Sequence, residues 1–234
     1  MQNVFQRNEI KYLISEAQYC ALLQDISGQI KADEYGDYLV QNLYFDTRNW
    51  DIIRKSIEKP LYKEKMRLRC YGDLTEKRKL FLELKKKYRG VVYKRRVAFP
   101  EIKKVDMEIR DFIHQKASQV SRELAFHLYQ NPVQEKMYLS HKRQAFVGIE
   151  DAKLRVTFDR EIRYRVSDLA FKNPEQGTAI LPPHIIVMEI KLVEGMPLWL
   201  TGALSKHEIF PRSFSKYGTC YMNYFQKQRE AGVA

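Results

Sequence analysis

Cysteine is scarce in this chain of 234 residues, which has three cysteines, Cys20, Cys70 and Cys220. Their number is odd and no two of them are close in the sequence, which argues against a disulfide framework and against a Cys-x-x-Cys metal site. Long apolar runs are also lacking, because none approaches the roughly 20 residues of a membrane-spanning helix. Residues 1–7 do not have the apolar stretch of a signal peptide. We therefore expect a reduced, cytoplasmic protein.

Negative charge is in short supply, since 29 acidic residues face 41 Lys and Arg, for a net charge of +12. Such an excess favours a polyanionic partner: a nucleic acid, a phosphorylated metabolite or an anionic membrane surface. Composition does not choose among the three. Hydrophobic residues make up 44% of the chain and charged residues 30%, which is typical of a folded globular protein with a sizeable core.

Six stretches of the sequence alternate between apolar and charged residues. A period of two places successive side chains on opposite faces of a β-strand. Each of these strands is therefore predicted to have one apolar face and one face that is mostly basic. The charged rows are Arg7-Glu9-Lys11, Arg67-Arg69, Glu83-Lys85-Lys87, Lys94-Arg96, Arg155-Thr157-Asp159 and Glu189-Lys191.

Neighbouring basic rows would repel one another if they shared a sheet. Two unit charges about 6 Å apart repel by roughly 3 kcal/mol at an effective dielectric constant near 20, so the repeated pattern predicts a bound anion. An open sheet with its charged face in solvent would also fit, whereas the predicted helices argue against a membrane barrel. We favour a closed barrel with a charged lumen, because arginines recur at strand centres and bind phosphate oxygens in bidentate fashion.

The remaining patterns predict an α+β protein: an eight-stranded antiparallel β-barrel with helices packed on its outside. We see no internal repeat or linker, and therefore expect a single domain over residues 1–234. Strands are predicted at 5–14, 39–46, 62–72, 79–88, 91–99, 137–147, 152–166 and 184–194. Helices are predicted at 15–30, where Ser15 and Gln18 form a capping box, and at 47–58, 101–130, 197–206 and 217–230.

Three glutamates, Glu9, Glu83 and Glu189, share the charged faces with the cations. They could form internal ion pairs, or they could hold Mg²⁺ or Mn²⁺, which bind through a few carboxylates together with substrate phosphates. The five histidines have no metal-ligand spacing, and we interpret them as structural.

Eight segments, among them Arg7-Asn8-Glu9-Ile10-Lys11 and Val187-Met188-Glu189-Ile190-Lys191, occur in an order that resembles a known family. This family is the VTC domain, the polyphosphate polymerase branch of the triphosphate tunnel metalloenzymes. The resemblance extends over nearly the whole chain. The segments are 7–12, 43–47, 65–72, 81–87, 92–96, 154–159, 187–192 and 214–217.

The resemblance implies a triphosphate tunnel in which the γ-phosphate of ATP passes to a growing polyphosphate chain, with Mn²⁺ or Mg²⁺ as cofactor. The catalytic cations would be Lys11, Arg67, Arg69, Lys85, Arg155 and Lys216. The further substrate-binding residues would be Arg7, Lys94, Arg96, Lys191, Ser215 and Tyr44, of which Lys94 and Arg96 are chosen over Arg95 by strand parity. The metal ligand would be Glu189, with Glu9 and Glu83 beside it.

One departure from the wider superfamily concerns the first strand, which reads Arg-x-Glu-x-Lys where triphosphatases and cyclases usually have Glu-x-Glu-x-Lys. A cation at Arg7 weakens metal-assisted activation of water and adds a phosphate contact, which favours a polymerase. The alternatives are a tunnel triphosphatase or polyphosphatase and a non-catalytic module that binds polyphosphate or nucleotide.

Nucleic-acid binding is a third alternative for so basic a chain. Its aromatic residues, however, fall mostly on the apolar parity, as Tyr12, Phe45, Phe99 and Phe158 do, and no RRM, KH, helix-turn-helix or P-loop signature is present. We therefore expect ATP and inorganic polyphosphate as partners and no nucleic acid. A membrane partner, if one takes part, would be encoded separately. The sequence is silent on the oligomeric state.

Overall fold

The computed structural model describes residues 8–72, 80–89, 91–99, 118–130 and 132–232. Arg7 and the first part of the helical region predicted at 101–130 lie outside these ranges. The strands are β1 (Asn8–Ser15), β2 (Ile30–Asp46), β3 (Tyr62–Tyr71), β4 (Leu80–Tyr88), β5 (Val91–Phe99), β6 (Gln134–Gly148), β7 (Arg155–Arg165), β8 (Thr178–Ala179) and β9 (Ile185–Leu192). The helices are α1 (Glu16–Ile26), α2 (Asp51–Ile57), α3 (Gln119–Gln130), α4 (Leu198–Lys206) and α5 (Lys216–Glu230).

Eight strands form one continuous antiparallel path in the order β1-β9-β7-β6-β2-β3-β4-β5, and the short β8 pairs with β7 beside it. The predicted α+β class and the antiparallel arrangement are thus confirmed. Helix α1 begins with the predicted capping box, in which the Ser15 hydroxyl accepts the Gln18 N–H and the Gln18 side chain accepts the Ser15 N–H. None of the helices in the described ranges is long and apolar enough to span a bilayer.

The predicted closed barrel is wrong in one respect, because the path has two ends. In the described strands no backbone ladder joins β1 to β5. Residues 212–214 lie against β1 in place of a further strand: the Arg212 N–H donates to the Lys11 carbonyl at 2.7 Å, and the Lys11 side chain donates from Nζ to the Phe214 carbonyl at 3.0 Å. Side chains cross the seam instead, with Lys85 Nζ of β4 2.6 Å from Glu9 Oε2 of β1.

The outer face of the sheet is apolar and carries helices, as the alternation predicts. Leu22 of α1 and Leu200 of α4 pack against Val156 and Ile190 in one buried cluster. A second cluster joins Leu124 of α3 to the apolar side chains of β3 and β4. These two clusters cover the side of the sheet opposite to the charged rows.

The inner face is charged over only part of its length. Tyr44, Leu139 and Val187 are two residues from Asn42, His141 and Glu189, so they share the face of the charged rows, yet all three belong to a buried apolar cluster. That cluster also includes Tyr217 and Cys220 of α5. Helix α5 therefore covers the apolar part of the concave face, and the start of α5 lies where the charged part begins.

Asp46, at the end of β2, fixes both α2 and α5 to the sheet. Its carboxylate is fully buried and accepts the backbone N–H groups of Thr47, Ile52 and Ile53 at 2.8–3.0 Å. It also accepts the hydroxyl of Tyr217 at 3.0 Å. Burial raises the pKa of Asp46 against the opposing effect of these hydrogen bonds. Four donors, three of them from α2 and α5 and one from the turn before α2, thus depend on one carboxylate.

We expect Asp46→Ala to lower the free energy of unfolding by at least about 2 kcal/mol, because buried donors would be left without an acceptor. The measurement is urea unfolding followed by circular dichroism. Asp151→Ala is the matched control, since Asp151 is exposed and its side chain accepts a local N–H from Lys153. Equal stability of the two variants would contradict this role of Asp46.

Candidate functional site

A cavity of about 2070 Å³ occupies the charged part of the concave face. Its volume is about twice the upper end of the range for pockets that hold one small ligand, roughly 1,000 Å³. Fifteen Lys and Arg side chains line it against five Glu in the described residues. The predicted site residues along its wall are Lys11, Arg67, Arg69, Lys85, Arg155, Lys216, Lys94, Arg96, Lys191, Ser215, Tyr44, Glu9 and Glu189.

Glu83 does not line the cavity but lies behind the cations of β3 and β5, with 1% of its surface exposed. Its Oε2 lies 2.8 Å from Arg67 Nη2 and 3.8 Å from Arg69 Nε. Its Oε1 lies 2.6 Å from Lys94 Nζ and 3.4 Å from Arg96 Nε. Burial raises the pKa of Glu83, but Arg67, Arg69 and Lys94 outweigh it and hold this pKa well below its usual range. Glu83 is thus a shared counter-ion rather than an exposed metal-binding oxygen donor.

Asp159 is a second buried counter-ion that two cations share, on the opposite side of the cavity. It is fully buried and binds Arg143 through both oxygens, at 2.6 and 2.8 Å. Lys216 Nζ, at the start of α5, lies 2.6 Å from Asp159 Oδ2. Burial lowers the pKa of Lys216 to about 8, even though Asp159 favours the ammonium form. Asp159 of β7 therefore holds together two cations of the wall, Arg143 of β6 and Lys216 of α5.

Arg143, Lys65 and His141 line the cavity although sequence reasoning did not select them. Lys65 could have been predicted from the alternation, because it precedes Arg67 by two residues on β3 and therefore lies on the same face. Arg143 could not, because the stretch Ser140-His141-Lys142-Arg143 does not alternate. His141 is buried, and burial keeps its pKa well below the usual value, so it faces the cavity as a neutral ring.

Lys65 lies where β3 approaches the start of α5. Its Nζ donates to the Ser215 hydroxyl at 2.9 Å, and the same hydroxyl caps α5 by accepting the Gly218 N–H. Burial, followed by the charges of Lys11 and Lys63, lowers the pKa of Lys65 to about 7. An anion in the cavity would relieve this repulsion and favour the charged form of Lys65.

The structure shows which side chains of β5 face the cavity. Lys94 and Arg96 line the cavity, whereas Arg95 Nε lies 2.9 Å from Glu123 of α3 on the other face. Burial lowers the pKa of Lys94 to about 8, against the opposing effect of Glu83. The Arg96 guanidinium also lies over the Phe81 ring, 3.5 Å from its centroid.

Two carboxylates of the wall, Glu9 and Glu189, belong to the paired strands β1 and β9. Glu189 Oε1 lies 3.1 Å from Lys191 Nζ, and Glu9 pairs with Lys85 across the seam. Burial raises the pKa of each, but the neighbouring lysines lower it further, so both are ionised. Within the described ranges, no group of three or more His, Cys, Asp or Glu side chains could hold a metal ion. The two carboxylates fit a hard divalent cation that takes its other ligands from phosphate and water.

Comparison with known proteins gives one match in sequence families and several in structure. The family model for the VTC domain matches residues 6–225. No curated protein matches the chain. Among solved structures, HpAC1 from Hippeastrum, an adenylyl cyclase candidate that reveals a dominant triphosphatase activity, has 17% identity and a TM-score of 0.55 over 94% of this chain and 96% of that chain. The PH1819 protein from Pyrococcus horikoshii has 12% identity and a TM-score of 0.47 over 93% and 99%. At 17% identity the likeness to the Hippeastrum protein concerns the fold alone.

We expect Glu83→Gln to lower the free energy of unfolding by about 3–5 kcal/mol, because cations of the wall lose a buried counter-ion. Inorganic tripolyphosphate should restore part of this loss, so it should raise the melting temperature of the variant more than that of the wild type. The measurement is thermal unfolding without divalent metal. Glu123→Gln, whose ion pairs lie outside the cavity, should cost less than about 1 kcal/mol. Wild-type stability of Glu83→Gln would refute the counter-ion role.

The lysine pKa values predict that tripolyphosphate binds most tightly near pH 6. Lys65, with a pKa of about 7, and Lys94 and Lys216, with pKa values of about 8, are charged below these values and lose their charge as the pH rises. Since the bound anion raises each pKa, affinity should fall between about pH 7 and 9. Calorimetry at pH 6, 7, 8 and 9 measures the decline.

Lys65→Arg should make this decline shallower near pH 7, because a guanidinium stays charged throughout the range. The titration of tripolyphosphate itself is common to both proteins and cancels in the comparison. Lys142→Arg, at an exposed ion pair outside the cavity, is the matched control. An unchanged pH profile in Lys65→Arg would show that Lys65 is not the titrating group.

Proposed function

The chain belongs to the VTC domain family, and from this we propose that it is an ATP-dependent polyphosphate polymerase, which transfers the γ-phosphate of ATP to a growing polyphosphate chain and leaves ADP. The observation that carries the proposal is the cavity of about 2070 Å³ with its threefold excess of cations over carboxylates. Such a wall suits a polyanion, and its volume accommodates a nucleotide together with a second phosphate chain. The substrates would be ATP and inorganic polyphosphate.

Phosphoryl transfer depends mainly on positioning and on stabilisation of charge. Arg67 and Arg69 supply both, because their guanidinium groups are held before any substrate arrives. Arg67 is fixed by Glu83 and by the Tyr44 hydroxyl at 3.0 Å, and Arg69 by the Asn42 side chain at 2.8 Å. Donors fixed in this way need no reorganisation when negative charge builds on the transferred group. Lys11, Lys85, Lys191 and Lys216 would hold the remaining phosphate oxygens.

The acceptor in this reaction is the terminal oxygen of a phosphate chain, which is already ionised near neutral pH. Its attack on the γ-phosphorus forms one P–O bond while the bond to ADP breaks, and no proton has to be removed. A general base is therefore unnecessary. The neutral His141 and the ion-paired carboxylates of the wall are compatible with such a reaction.

A divalent cation, Mn²⁺ or Mg²⁺, would be held by Glu189 and Glu9, whereas Glu83 already pairs with four cations. When bound, the metal would neutralise phosphate oxygens and so favour departure of ADP. The protein's own contribution at this place is to hold two ionised carboxylates among lysines, so that the cation would be retained best together with phosphate.

Hydrolysis is the second candidate function, because the Hippeastrum protein, for which a dominant triphosphatase activity is described, has a similar fold. Water would then replace the phosphate chain as acceptor, and orthophosphate would be the product. Arg7, in a position that is usually acidic in the hydrolases, favours the polymerase. A non-catalytic module would bind the triphosphate without turnover.

Incubation of the purified protein with ATP and Mn²⁺ should give a ladder of polyphosphate on a stained polyacrylamide gel, with ADP in matching amount. We expect Arg69→Ala and Glu189→Ala each to lower the rate by about 100-fold or more. Lys142→Ala and Glu161→Ala, which remove an exposed ion pair outside the cavity, should leave it unchanged. Orthophosphate without polymer would assign a hydrolase, and full synthesis by the double variant Arg69→Ala/Glu189→Ala would refute the site.

A further inference from the structure

Strand β2 contains an irregularity that the proposed phosphate chemistry does not explain. Its pairing with β6 jumps between Ala32 and Asp37, so four residues of β2 lie opposite one residue of β6. Gly36 makes the bend with a φ of 59°, in the left-handed region that glycine adopts without strain. Bulges of this kind redirect side chains and are frequent beside active sites.

The bulge has a fixed conformation and is tied to the neighbouring wall. Asp33 Oδ1 accepts the Tyr35 N–H at 3.0 Å, and Asp33 Oδ2 lies 2.5 Å from Arg155 Nη2 on β7. The Asp33 side chain is largely buried by these contacts. One of the predicted phosphate-binding cations, Arg155, therefore also anchors the bulge at the edge of the cavity.

The bulge extends a row of aromatic rings from the cavity wall into solvent. Tyr35 lies 6.1 Å from Tyr38, Tyr38 lies 6.0 Å from Tyr71, and Tyr71 lies 6.0 Å from Phe81, each pair close to edge-to-face. All four residues line the cavity. Tyr35, at the outer end, is 66% exposed, so its ring contributes little to the core. An exposed ring at the rim of a binding cavity is available to a ligand.

Four other aromatic side chains of the cavity have a ring face that is already covered. The Tyr71 ring lies 5.7 Å from the Arg69 guanidinium and 5.4 Å from that of Arg96. Tyr44 stacks on Tyr217 with ring centroids 4.2 Å apart and an angle of 5°, and both rings are buried. Phe81 is covered by the Arg96 guanidinium. Tyr35 and Tyr38 are therefore the aromatic residues best placed to receive a planar ligand group.

The chemistry of the substrates determines which group that is. A phosphate chain has neither an apolar face nor a π-system, whereas a nucleoside triphosphate has both in its base. We infer that Tyr35 and Tyr38 form a stacking site for the nucleobase, which places the triphosphate against the cations deeper in the cavity. This inference rests on the proposed function only in requiring a nucleoside triphosphate as substrate. Glu34, beside Tyr35 at the rim, is a carboxylate, and its charge disfavours phosphate at this end of the cavity.

Stacking on tyrosine tolerates every base, because each base has a π-face. The site would therefore fix the position of the nucleotide with little discrimination among bases. Purines, which offer the larger surface, should bind somewhat more tightly than pyrimidines.

The test compares two ligands that share a triphosphate but differ in the base: the β,γ-methylene analogue of ATP, which cannot transfer its γ-phosphate, and inorganic tripolyphosphate. Calorimetry with Mg²⁺ gives both dissociation constants. Tyr35→Ala and Tyr38→Leu should weaken the nucleotide by about tenfold and tripolyphosphate by less than twofold. Tyr129→Ala, at an 82% exposed position of α3 outside the cavity, should change neither.

The inference is overturned if Tyr35→Ala leaves nucleotide affinity at the wild-type value, or if it weakens both ligands equally. Arg69→Ala distinguishes this failure from a failure of the proposed function. It should weaken both ligands together, since it removes a cation of the shared phosphate wall. If the wild type binds neither ligand, the proposed function fails and the base site fails with it.

Discussion

Repulsion among like charges on the concave face is the constraint on which the rest of this structure depends. Cations on adjacent strands lie close enough to repel by several kcal/mol in total at an effective dielectric constant near 20. Two buried carboxylates, Glu83 and Asp159, lower this energy by sitting behind the cations and each binding several of them. They compensate only part of the charge, so the wall remains ready for an anion. The same ion pairs also fix the orientation of the arginines. The contacts that stabilise the fold are therefore the ones that position the groups of the proposed reaction.

The division of the concave face between charge and apolar surface is the second organising feature. Helix α5 covers the apolar part and is attached through Tyr217 to Asp46, the carboxylate that also begins α2. The residue before Tyr217, Lys216, reaches Asp159 in the charged part. A single turn of helix thus links the core to the candidate site, and a change in the packing of α5 would displace a cation of the wall. The position of Lys216 therefore depends on the packing of α5 against the core as well as on the ion pair with Asp159.

Much of this architecture was predictable, because a period of two is enough to identify strands and to decide which side chains share a face. It located the charged rows of β3, β4 and β9 and assigned Lys94 and Arg96, rather than Arg95, to the inner face. The first part of β2 escaped prediction, since Asp33, Gly36 and their neighbours have the composition of a loop. The open seam escaped as well, because alternation gives the faces of strands and carries no information on which edges pair. The burial of Glu83 behind the cations depends on contacts among three strands, which no single strand's pattern contains.

The seam lies between the two ends of the strand path, β1 and β5, and it affects the size of the enclosure. In a closed barrel the radius is set by strand number and shear, and it changes only if backbone hydrogen bonds break. Here Glu9 of β1 and Lys85 of β4 form an ion pair across the seam, and residues 212–215 bridge it as well, through hydrogen bonds to Lys11 of β1 and Lys65 of β3. Each strand meanwhile keeps its own ladder. The circumference of the cavity is therefore held at the seam by side-chain and loop contacts rather than by a continuous backbone ladder, and a polyanion that competes for Lys85 and Lys65 would weaken the contacts that limit its width.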